Sequence, residues 1–188
     1  DIALRLPLLA GTRTILVGAA FLSVGLALKI ALFPLHLWLP NAYTYAPSVV
    51  TAFLAATATK VSLYVLLRFT FTIGGRSFHL EESPVDIVLV LLSLAGMFAG
   101  SLVAIYQTNI KRLLAYSSLA QIGYMTLGIS FTTVAGLTGG IVHLFNHALT
   151  KGALFLAIGA VALRAGSVKL DAMRGMGRRM PYTMAAFV

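Results

Sequence analysis

The chain is predicted to be all-α, a polytopic bundle of transmembrane helices, and three observations carry that expectation. Hydrophobic residues fill 59% of the 188 positions and charged ones only 10%, against about a quarter in soluble domains. Five runs are long and apolar enough to cross the hydrocarbon core, which takes roughly 20 residues of helix. The basic residues stand at the ends of those runs or singly inside them, where a nucleic-acid-binding surface would gather them on one solvated face. The net charge of +9 therefore reads as membrane topology, not as an affinity for nucleic acid. There is no cysteine, which excludes disulfides, thiol chemistry and cysteine-held metals.

The spans are expected at residues 14–39, 47–70, 84–106, 110–130 and 134–163. The first contains Pro34, whose ring cannot continue the hydrogen-bond ladder, so a broken helix is expected near Lys29–Pro34 with a short second half beyond it. Asn41 to Ala46 is expected to turn, and Pro47 suits the start of the second span, which ends at Arg68. A polar loop from Thr70 to Ser83 holds His79, Glu81 and Glu82. Ser83-Pro84-Val85-Asp86 then reads as a capped helix start. A tight basic turn from Gln107 to Arg112 joins the third and fourth spans, and Ser130 to Thr133 joins the fourth and fifth. Gly96-x3-Gly100 and Gly136-x2-Gly139-Gly140 suit close helix packing. The tail, 164–188, leads towards a further helix; with Asp1 at the start and no signal peptide, the chain reads as an internal piece of one longer transmembrane domain.

Loop charge sets an expected orientation. Arg5, Arg13, Arg68 and Arg76 lie on one side; Lys111, Arg112, Arg164, Lys169, Arg174, Arg178 and Arg179 lie on the other. Seven against four puts the second side in the cytoplasm, with residue 1 facing outward, in a multi-pass, bacterial-type plasma membrane.

Charge at membrane depth costs roughly 2.5–3.5 kcal/mol per residue on insertion scales, yet Lys29 and Lys60 both sit inside apolar runs. In the fifth span His143, His147 and Lys151 recur every fourth residue, so they share one helix face. Counting from the span midpoints puts Lys29, Lys60 and His147 within about two residues, or ~3 Å, of one level. Histidine titrates near neutrality, and a lysine withdrawn from water is a candidate proton carrier. Lys29, Lys60, His143, His147, Lys151 and His36 are therefore the candidate proton path. His36, beside Trp38, equally suits an interfacial belt, and His143 alone equally suits an interhelical hydrogen bond. No carboxylate accompanies the histidine pair, which speaks against a metal site, and no cofactor motif is present. With no Asp or Glu deep in any span, the counter-charge for the lysines is expected from other membrane subunits or from further helices.

These residues also carry a resemblance. Lys29-x4-Pro-Leu-His36-x-Trp-Leu-Pro40, Lys60, Asn109-Ile-Lys-Arg-Leu-Leu-Ala-Tyr-Ser-Ser118-x-Ala-Gln121-x-Gly123-Tyr and His143-x3-His147-x3-Lys151-Gly-Ala-Leu-Phe resemble the antiporter-like subunits shared by respiratory complex I (NADH:quinone oxidoreductase) and Mrp-type cation/proton antiporters. The resemblance implies two inverted five-helix repeats, of which this chain would hold the end of one and the start of the next. It also implies a membrane-midplane line of ionisable residues. Lys29 would match the lysine of the broken helix, Lys60 the connecting lysine, and His147 and Lys151 the central positions. It implies a subunit of a larger membrane complex moving protons, with Na+ as a candidate second ion. Of the two branches the reading prefers the Mrp-type antiporter, with a complex I or hydrogenase subunit as the alternative. In the complex I branch the chain would belong to an enzyme while supplying no catalytic group itself. A structural membrane scaffold is the competing reading from another class.

Overall fold

The computed structural model describes residues 12–74 and 85–187. Helix α1, Arg13–Ile30, ends at Ala31. Ala31 turns left-handed (φ 63°), and the Leu32 amide reaches back to the Ala27 carbonyl at 2.9 Å, a closure that satisfies the last free carbonyls of a helix. Pro34 lies three residues further on, in a turn whose Phe33–Pro34 bond is cis. The expected break is thus present, and it begins at Ala31, ahead of the proline. The Trp38 indole Nε1 donates to the Leu28 carbonyl at 2.8 Å and ties the far side of the break to the end of α1.

The second half-helix, α2 (Trp38–Tyr45), is longer than expected. The turn anticipated at 41–46 is helical up to Tyr45, because Pro40 falls in the first turn, where no amide is needed. This half-helix is driven into the bundle: Leu39 and Tyr43 are fully buried, and the Tyr43 ring meets Phe155 edge-on at 5.5 Å.

Pro47 precedes α3 (Ser48–Leu67), which passes into a π-helical segment, Arg68–Gly74. The span expected to end at Arg68 thus runs on, and the loop expected from Thr70 is helical as far as Gly74; the rest of that loop, with His79, and the Ser83-Pro84 cap lie outside the described residues. Helix α4 runs from Val85 to Ile105 and packs along α5, Ile110–Ser130. Their approach is set by glycine: a Cβ on Gly100 would stand 2.7 Å from the Ala120 amide nitrogen, and one on Gly123 would stand 2.7 Å from the Ser93 carbonyl. Asn109 caps α5, its side chain accepting from the Lys111 and Arg112 amides at 3.0 and 3.3 Å. Thr133 caps α6, Val134–Ala165, through the Gly136 amide, and Gly166 (φ 68°) closes it. The tail holds a 3₁₀ turn, Leu170–Met173, and two short helices, α7 (Met176–Arg179) and α8 (Pro181–Phe187), the latter lying against α6.

Among the described residues four helical stretches are long and apolar enough to cross a membrane: Arg13–Ile30, Ser48–Thr72, Ile87–Ile105 and Val134–Ala165. Helix α5 also matches its expected span but does not reach that apolarity, and the reason is its place. Thirteen of its 21 residues are buried, so its environment is protein, where polar side chains find partners. The architecture is an all-α membrane bundle with α5 inside it.

Candidate proton-carrying site

The site forms where α3, α5 and α6 meet. Small residues fix the register of α3 against α6. A Cβ on Gly159 would meet Ser48 at 2.9 Å, and one on Gly152 would meet Ala56 at 3.4 Å. The two helices therefore run antiparallel, and one further turn along that register brings Lys60 opposite His147. Both are 4% exposed, and Lys151, a turn beyond His147 on α6, is 2% exposed. Lys60, Lys151 and His143 all lie within electrostatic range of His147, so a charge on any one opposes charge on the others.

Each group has a different set of partners. The Lys60 ammonium donates to the Ala55 carbonyl of its own helix. Lys151 reaches across to α5, donating to the Leu114 carbonyl at 3.1 Å and the Ser117 hydroxyl at 2.9 Å. His143 Nε2 lies 2.6 Å from Gln121 Oε1 on α5. Its ring stacks on that of His147, with centroids 6.1 Å apart and planes 18° apart, and meets Tyr124 edge-on at 6.3 Å. His147 has the least: both ring nitrogens are buried and neither has a hydrogen-bond partner among the described residues. An unmet buried donor or acceptor costs about 1–3 kcal/mol, so His147 is a poor choice for stability alone. Asp171 is the only carboxylate among the described side chains; it is exposed and pairs with Arg174 at 3.4 Å.

Four of the six candidate residues, Lys60, His143, His147 and Lys151, are thus brought together. Lys29 is not. It is exposed in the last turn of α1 and lines an apolar groove of about 570 Å³ with Leu28, Trp38, Phe53, Thr57 and Val61. That groove runs along the outer face of α3, so α3 stands between Lys29 and His147. His36 is buried in the break and stacks on Phe33 at 5.3 Å, apart from the cluster. Sequence reasoning assigned no role to Ser117 and Gln121, although a signal was present. They are polar residues four apart on the helix of low apolarity, at the same spacing as the stripe they serve.

The chain is similar to known proteins along its whole length. The family described as NADH:quinone oxidoreductase/Mrp antiporter, transmembrane, matches residues 2–188. NADH-quinone oxidoreductase subunit N of Desulforudis audaxviator is 42% identical over all of this chain and 37% of its own length. F(420)H(2) dehydrogenase subunit N of Methanosarcina mazei is 37% identical over 96% of this chain and 38% of its own. Among solved structures, the Mrp complex from Dietzia superposes over the whole chain with a TM-score of 0.89 at 33% identity, using 34% of that subunit. An archaeal membrane-bound sulfane sulfur reductase gives 0.85 at 33% identity over the whole chain and 38% of its own. The chain spans little more than a third of the length of these relatives. A match of residues 2–188 to one family, together with the shared fold, makes this chain a member of the NADH:quinone oxidoreductase/Mrp antiporter transmembrane family.

Proposed function

We propose that this chain carries protons along the middle of the membrane, as part of an antiporter-like subunit within a larger membrane complex. One observation carries the reading: Lys60 on α3 and His147 and Lys151 on α6 are buried together with no carboxylate beside them among the described residues, and His147 has no hydrogen-bond partner there for either ring nitrogen. Protons would step among these three, with His143 at the end of the stripe. Lys29, across α3, would act as a separate, gated carrier facing other membrane elements, which would supply the acidic partner. His36 would hold the broken backbone beside it. Arg164, Lys169 and Arg174 to Arg179 gather with Lys111 at one end of the bundle, linked by the Asn109–Lys169 backbone bridge, which supports a cytoplasmic tail and an outward-facing residue 1. All 188 residues would belong to one translocation domain built of inverted repeats.

The two branches of the family stand level for this chain. The Mrp structure supports the cation/proton antiporter that the sequence reading prefers, and the oxidoreductase relatives support a complex I-type subunit equally.

The test is proton flux by the intact protein in proteoliposomes, followed with a pH-sensitive dye. Lys60→Ala and Lys151→Ala should each abolish most of the flux while leaving assembly intact, and unchanged flux in both would defeat the reading in favour of a scaffold. Dependence of the flux on Na+ would place the protein in the cation-exchanging branch, and independence in the proton-only branch.

A further inference from the structure

The carriers of the α6 stripe differ in how many of their nitrogens are free. His147 has two and His143 has one, because Gln121 occupies the other. In this structure the Gln121 amide turns its oxygen, which can only accept, to 2.6 Å from His143 Nε2, and that arrangement is a hydrogen bond when the ring carries its proton on Nε2. Two further rings flank that of His143. His147 stacks against it at 6.1 Å and Tyr124 abuts it at 6.3 Å. Gln121 is itself part of the half-buried face of α5, one turn from Ser117, which holds Lys151.

We propose that Gln121 is a positioning residue that fixes the Nε2–H tautomer of His143. The ring then takes up and returns a proton through Nδ1 alone. An imidazole that relays a proton onward must receive it at one nitrogen and release it from the other. With Nε2–H held by an amide oxygen, His143 is the terminus of the stripe, and His147 is the member able to pass a proton through. This rests on the proton-carrying reading of the site. The tautomer itself, however, is a property of the folded protein and can be measured apart from transport.

The experiment is solid-state ¹⁵N NMR of the intact, histidine-labelled protein in lipid, with the His143 signals identified by their loss in His143→Gln. Proton flux is measured on the same preparations. Wild type should show protonated Nε2 and unprotonated Nδ1 at His143 near neutral pH. Gln121→Leu should mix the two tautomers and lower flux about tenfold. Gln121→Glu, which keeps an acceptor oxygen in place, should restore the Nε2–H signal. A wild-type ring protonated at Nδ1, or a tautomer unmoved by Gln121→Leu, would overturn the proposal whatever the flux does. A tautomer that changes with no change in flux would overturn the positioning role. Failure of the underlying reading looks different: Lys60→Ala and Lys151→Ala would then transport normally.

Discussion

The Lys111 ammonium donates to the Ala46 carbonyl at 2.9 Å, joining the first turn of α5 to the end of α2, 65 residues earlier in the chain. Close by, the Ile110 amide donates to the Val168 carbonyl and the Leu170 amide to the Thr108 carbonyl, both at 2.9 Å. The end of the broken helix, the basic turn and the segment after α6 are thereby fastened together. Lys111 is only 5% exposed, so topology alone does not account for it.

Lys111→Met should therefore destabilise the protein by about 1.5–3 kcal/mol, the worth of a hydrogen bond from a charged donor. The check is thermal unfolding in detergent. Flux per correctly folded molecule should stay near wild type, because Lys111 is not in the α6 stripe.

His147→Leu separates stability from function. Neither ring nitrogen of His147 has a partner among the described residues, so an apolar side chain of similar size forfeits no hydrogen bond. The variant should melt at the same temperature as wild type or higher, while proton flux in proteoliposomes falls at least tenfold.

Lys60→Met should behave similarly. Replacing a buried charge with an apolar group of like volume is often neutral or stabilising. A protein that assembles fully and melts no lower, yet moves few protons, is the expected result of pairing the melting and flux assays.

Gly123→Leu should do the opposite. The first added carbon would lie 2.7 Å from the Ser93 carbonyl and 2.6 Å from the Met97 side chain, forcing α4 off α5 at a cost of about 1–3 kcal/mol or more. Yield of folded protein and its melting temperature should both drop. Gly139→Ala, where a Cβ meets nothing within 4 Å, should leave both unchanged.

The span boundaries were legible because apolar length, capping residues and proline rules act locally. The span starts expected at 47, 110 and 134 fall within one residue of the observed helix starts, Ser48, Ile110 and Val134. The end of α1 was harder to read: a left-handed alanine closes it, and Ala31 carries no glycine-like signal. The spacing of His143, His147 and Lys151 revealed their common face, and midpoint counting brought Lys60 to the same level. The same counting could not show on which side of α3 Lys29 falls, since level along an axis says nothing of rotation about it. Gln121 was hidden for a related reason: its importance depends on which face of α5 meets α6, and α5 is buried nearly all round.

The glycine contacts between α3 and α6 also limit how the site can work. A slide of α6 by one turn, about 5.4 Å, would bring either Phe155 or Leu163 to the place where Gly159 admits Ser48. A Cβ at that place would already stand 2.9 Å from the Ser48 Cβ, so the glycine favours the present register over one a turn away. The register that sets Lys60 opposite His147 is therefore the one in which these two helices sit closest.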